Sequence, residues 1–65
     1  MTENNEHSQI KAARKAANLT QVQLAEKMGC SQQDVHRWEK GKVSPNIKTL
    51  YRIAEAIGCD VSKLL

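Results

Sequence analysis

The sequence predicts an all-α domain of five short helices, and three features predict it. Apolar residues recur at spacings of three and four from Ile10 onward, the repeat of a single helix face. Nowhere do they alternate with the period of two that a half-buried strand requires. Glycines close candidate helices at Gly29, Gly41 and Gly58, and each is followed within a few residues by Ser31, Asn46 or Asp60, side chains that cap a helix N-terminus. At 65 residues the chain makes one small domain with a modest core.

Residues 1–6, MTENNE, are polar and aperiodic, and are expected to form a flexible segment ahead of a domain spanning 7–65. The first helix places Ile10, Ala13, Arg14 and Ala17 on one face. Asn18, which tolerates the left-handed conformation, breaks it. Thr20 opens the second helix through a T-x-x-Q capping box with Gln23, and its buried side is Leu24, Ala25 and Met28. Gly29 stops it. Only Cys30 separates that stop from Ser31, which forms a similar box with Asp34. The third helix runs to about Lys40 with Val35, Trp38 and Glu39 inward. After the loop KVSP, Asn46 caps a fourth helix on Ile47, Leu50, Ile53, Ala54 and Ile57. Asp60 caps a last short turn, Val61 to Leu65. Both aromatics, Trp38 and Tyr51, are expected in the core.

The formal charge is +3, unevenly placed. Residues 10–65 hold ten basic against five acidic side chains, a net +5, which suits a polyanion partner. No apolar run approaches a membrane span and no signal peptide opens the chain, so a cytoplasmic location is expected. Cys30 and Cys59 read as reduced packing residues and, with His7 and His36, make no zinc-like spacing. No phosphate loop or nucleophile context is present. Catalysis, metal, cofactor and small-molecule ligand are therefore not expected.

Two helices joined by a tight glycine-containing turn make a helix-turn-helix. On the third helix Gln32, His36 and Lys40 lie at i, i+4 and i+8, with Gln33 and Arg37 on the adjoining row. A packing helix has no need of such a face, but the DNA major groove does: Gln pairs bidentately with adenine and Arg with guanine. Arg14 and Glu39 both fall on packing faces. A buried charge left alone costs several kcal/mol, so each is the other's expected partner, an ion pair clamping the first helix to the third. Arg14 is also placed to reach a phosphate.

The stretches LTQVQLAEKMGCSQQDVHRWEKG and SPNIKTLYRIAEAIGCDVSKLL resemble the DNA-binding domain of the Cro/phage-repressor (Xre-like) helix-turn-helix family, over Ile10 to Leu65. The carrying marks are Thr20-Gln21, Leu24-Ala25, Gly29, Trp38-Glu39-Lys40-Gly41 and Pro45. The departures are cysteines where the family often has Val or Thr. The resemblance implies a lambda-repressor-like fold and assigns roles. Gln32, Gln33, His36 and Arg37 would contact bases. Thr20, Gln21, Lys40, Lys42 and Asn46 would contact phosphates, and Arg14 and Glu39 would form the structural pair. It implies a transcriptional regulator, usually a repressor, bound as a homodimer to a near-palindromic operator with half-sites about one helical turn apart. The exposed end of the fourth helix and Leu64-Leu65 are the expected dimer surface. The rival readings are a DNA-binding antitoxin, a restriction-modification controller, and a protein-interaction module that has lost DNA. The outward Gln32, Gln33, His36 and Arg37 weigh against the last of these.

Overall fold

Four α-helices form behind the capping signals: α1 Ser8–Ala16, α2 Gln21–Met28, α3 Gln32–Lys40 and α4 Ile47–Ile57, followed by one 3-10 turn, Val61–Lys63. The computed structural model describes residues 8–65. The flexible segment expected at 1–6 and the domain start at residue 7 lie outside the described residues. Among the described residues no helix is long and apolar enough to cross a membrane.

Each junction is built by local chemistry. Thr20 Oγ1 accepts from the Gln23 N–H at 3.0 Å while Gln23 Oε1 accepts from the Thr20 N–H at 2.9 Å. Ser31 and Asp34 repeat the exchange at the start of α3. At the other ends the chain turns left-handed, at Asn18 after α1 and at Gly29 after α2. The residue beyond each then donates back across the last turn, Leu19 to Arg14 O and Cys30 to Ala25 O, which satisfies carbonyls the helix leaves open. At Gly29 the need is conformational. A Cβ there would meet nothing within 4 Å, but φ is +71°, where a side chain is strained.

The core draws one fully buried side chain from each α-helix: Ile10, Leu24, Val35 and Ile53, all at 0 % exposure. Trp38, Cys30 and Cys59 pack against it half-buried, and both cysteines are free. Arg52 ties α4 to α2 by donating to the Met28 carbonyl at 2.8 Å, one of the orphan acceptors at a helix C-terminus.

Four expectations are corrected. The fifth helix is only a 3-10 turn, closed by Lys63 N–H to Asp60 O and Leu64 N–H to Val61 O, both 2.9 Å. That tight turn swings Leu64 into the core and leaves Leu65 exposed, so Leu64 is no docking residue. Tyr51 is 59 % exposed, because it sits about 100° round the helix from Leu50, outside the Leu50–Ile53–Ala54 stripe. Ile47, at the first position of α4, is 58 % exposed, beyond the reach of the other helices' core face.

Arg14 and Glu39 are paired, at 7 % and 4 % exposure. Arg14 Nε donates to Glu39 Oε2 at 2.6 Å and Nη2 to Oε1 at 3.1 Å, while Nη1 donates to the Leu19 carbonyl at 2.8 Å. All three guanidinium nitrogens are thus engaged within the domain. Burial pushes the Glu39 carboxyl up, but hydrogen bonds from Arg14 and Gln21 and the charges of Arg14 and Lys11 outweigh it and hold it below its ordinary value. A carboxyl lowered in the folded chain stabilises it above the unfolded pKa, about 4.3 for glutamate. That contribution is lost as pH falls through the lower folded-state value.

Two predictions follow from the packing. Ile53→Ala is expected to cost about 2–5 kcal/mol, a buried cavity, and Tyr51→Ala within about 0.5 kcal/mol of nothing; urea unfolding followed by Trp38 fluorescence measures both. Arg14→Ala is expected to cost a few kcal/mol, on the order of 3–5, and Arg14→Ala with Glu39→Ala less than the two single losses added. In the same assay Glu39→Gln flattens the fall of stability below about pH 4. Strictly additive losses and an unchanged acid limb would mean the pair does not couple.

Candidate nucleic-acid interface

The narrowness of the α3 seam makes the site. Only Val35 and Glu39 are buried on that helix, with Trp38 half-buried. Gln32, Gln33, His36, Arg37 and Lys40 are therefore all exposed on the remaining surface. The Ser31–Asp34 capping box fixes where the helix begins, and hence which way this face turns.

The long side chains are held by neighbours. Gln21 Nε2 donates to Glu39 Oε1 at 3.0 Å, and Gln21 Oε1 accepts from Gln32 Nε2 at 3.4 Å. One glutamine at the start of α2 thus links the buried ion pair to the first exposed residue of α3. Arg37 Nη2 donates to Gln33 Oε1 at 3.2 Å, and Arg37 Nη1 lies 3.6 Å from Asp34 Oδ1. Both members of that pair are about half exposed, so it is weak. It steers Arg37 along the helix and yields readily to a better partner.

The positions assigned to phosphates divide by what their atoms already do. Thr20 Oγ1 accepts a capping bond, and its hydroxyl hydrogen can still be donated outward. Gln21 is half-buried and its amide is shared between Glu39 and Gln32. What it offers an anion is its backbone N–H, in the first turn of α2 where no intrahelical acceptor exists. Asn46 uses Oδ1 to accept from the Thr49 N–H at 2.8 Å, which leaves its Nδ2 donors. Lys40 and Lys42 are exposed, one at the end of α3 and one just past Gly41.

Two partners escaped the sequence reading. Asp34 serves both the cap and Arg37; its i, i+3 spacing was the available signal. Lys11 acts on Glu39 through its charge; it lies one turn before Arg14 on α1, beside the packing face.

Comparison with known proteins agrees with this geometry. The chain matches the helix-turn-helix family over residues 10–64. It is 43 % identical over 56 residues to the immunity repressor of Bacillus phage phi105, covering 86 % of this chain and 39 % of that one. It is 37 % identical over 57 residues to an HTH-type transcriptional regulator of Methanocaldococcus jannaschii, covering 88 % of this chain and 86 % of that one. The chain thus spans well under half of the phage repressor's length and most of the archaeal regulator's. The crystal structure of the restriction-modification controller protein C.AhdI from Aeromonas hydrophila superposes with a TM-score of 0.84 at 22 % identity, covering 91 % of this chain and 89 % of that one. The shared fold, the matched span and these relatives lead to one conclusion: the chain belongs to the helix-turn-helix family.

Proposed function

We propose that this chain is a sequence-specific double-stranded DNA-binding transcriptional regulator, a cytoplasmic repressor without catalytic activity that acts as a homodimer on a near-palindromic operator. The observation that carries the reading is the exposed Gln32–Gln33–His36–Arg37 face on a helix whose inner seam is only Val35, Trp38 and Glu39. Gln32, Gln33 and Arg37 are the base-reading residues, with His36 beside them. Gln is matched to adenine N6 and N7, and Arg to guanine O6 and N7. Thr20, Gln21, Lys40, Lys42 and Asn46 hold phosphates, which sets the register of the helix in the groove. The repressor reading is supported by the phage immunity repressor among the relatives.

Dimerisation has its own support. The domain measures 31 Å along its longest axis, and successive half-sites lie about 34–36 Å apart. Two copies lying with their long axes along one operator would therefore come within touching distance. Ile47 and Tyr51, one turn apart and both exposed on α4, are the apolar surface offered to that contact, with Leu65 a second exposed apolar residue.

Selection of bound duplexes from a random pool is expected to return a near-palindrome, and sedimentation of the complex to give two protomers per duplex. Binding should weaken steeply with salt as counterions are released; a chain that binds no duplex at low salt sinks the reading. Gln32→Ala and Arg37→Ala are expected to leave stability nearly unchanged and to cost about 1–3 kcal/mol of specific binding each, with preference relaxed at one base pair per half-site. Lys42→Ala should weaken all duplexes alike. If Arg37→Ala lost affinity evenly across a base-substitution scan, Arg37 would be a phosphate contact.

A further inference from the structure

Beside the α3 face lies a hollow of about 170 Å³, lined by Lys11, Gln21, His36, Glu39 and Lys40. It is assembled from three helices: α1 gives Lys11, α2 its first residue, and α3 the other three. Its size is below the ~300 Å³ at which small-molecule pockets begin. It suits a single anionic group better than a cofactor.

The charges around it do not cancel. Glu39 forms its floor, but that carboxylate is already met by two bonds from Arg14 and one from Gln21. Among the described residues neither Lys11 nor Lys40 takes part in an ion pair. Among the described residues, two ammonium groups from different helices therefore overlook one concavity whose one carboxylate, Glu39, is already hydrogen-bonded by Arg14 and Gln21, and His36 adds a ring N–H at the same rim. A concave wall of one sign concentrates the potential felt by an anion. Gln21, in the same hollow, contacts Gln32 at 3.4 Å, so an anion seated here lies next to the first residue of the reading face.

We propose that this hollow is a seat for one backbone phosphodiester of duplex DNA, and that Lys11, a residue of α1 outside the helix-turn-helix itself, is one of its contacts together with Lys40 and His36. The proposal rests on the DNA-binding reading above and extends it. The phosphate anchors α1 as well as α3, and it places the strand beside Gln32. His36 is thereby given to the backbone at the rim of the groove, rather than to a base.

The test uses the whole chain and two probes, a mixed-sequence 20-bp duplex and the selected operator. Lys11→Gln keeps most of the aliphatic stem and removes the charge. It is expected to make the slope of log affinity against log salt shallower by about 0.9, one phosphate's worth of counterion, and to weaken both duplexes by the same factor. Lys11→Arg should restore the slope. Lys63→Gln, which removes a charge from a groove between α1 and the end of α4, should leave it unchanged. His36→Gln is expected to weaken both duplexes alike, not one base position selectively. If the unaltered chain binds and Lys11→Gln matches Lys63→Gln in slope, this inference is overturned while the DNA reading stands. If the unaltered chain binds neither duplex, both fall.

Discussion

The bidentate pair between Arg14 and Glu39 is the constraint on which the placement of the functional face depends. Glu39 lies on the inner side of α3, and its partner comes from α1, so the pair sets how α3 is rotated against the body of the domain. Both carboxylate oxygens are taken by Arg14, and one of them also receives Gln21 from α2. Three helices thus meet at one carboxylate. Replacing such a pair by apolar groups of similar volume is often neutral or stabilising, whereas removing one partner is costly. Its value here is therefore positional. An apolar contact would allow α3 to roll, while two hydrogen bonds of fixed direction do not.

Around that pin the domain spends very little of its sequence on the core. Four side chains, one per α-helix, are wholly buried, and the turns between helices are closed by backbone bonds and short polar caps. Connections of three to six residues between the elements keep the turns tight. They also leave the exposed surface of α3 free of structural duties except at Asp34. This division matters for a chain of 65 residues, because a small domain has a modest core.

The face itself separates holding from reading. In the proposed function, charged groups at its edges would act on any duplex because every duplex presents phosphates. Amides and Arg37 in its middle would act on particular bases, because only hydrogen-bond patterns differ between base pairs. The side-chain network couples the two. Gln32 leans on Gln21, and Gln21 leans on the ion pair, so the first residue of the proposed reading face is partly ordered in the free domain. Such ordering lowers the entropy lost on binding.

The helices, their caps and the helix-turn-helix were legible in the sequence because each is set by neighbours a few residues apart. A T-x-x-Q box, a glycine after the last turn and an apolar period of three to four act within one segment. The same local logic pointed to Arg14 and Glu39 as partners, since each lay on a packing face with a charge to satisfy. What local pattern could not settle was how far each face is covered once the helices meet. Tyr51 and Ile47 carry the apolar side chains of a core helix, yet stand largely exposed, outside the Leu50–Ile53–Ala54 stripe that the core covers. Leu64, expected at the surface, is core, because a 3-10 turn has a different pitch from the helix expected there. The hollow shared by Lys11, Gln21 and Lys40 joins residues up to 29 positions apart. The charges of Lys11 and Lys40 add only because α1 and α3 are held side by side, and that proximity is a property of the packed helices alone.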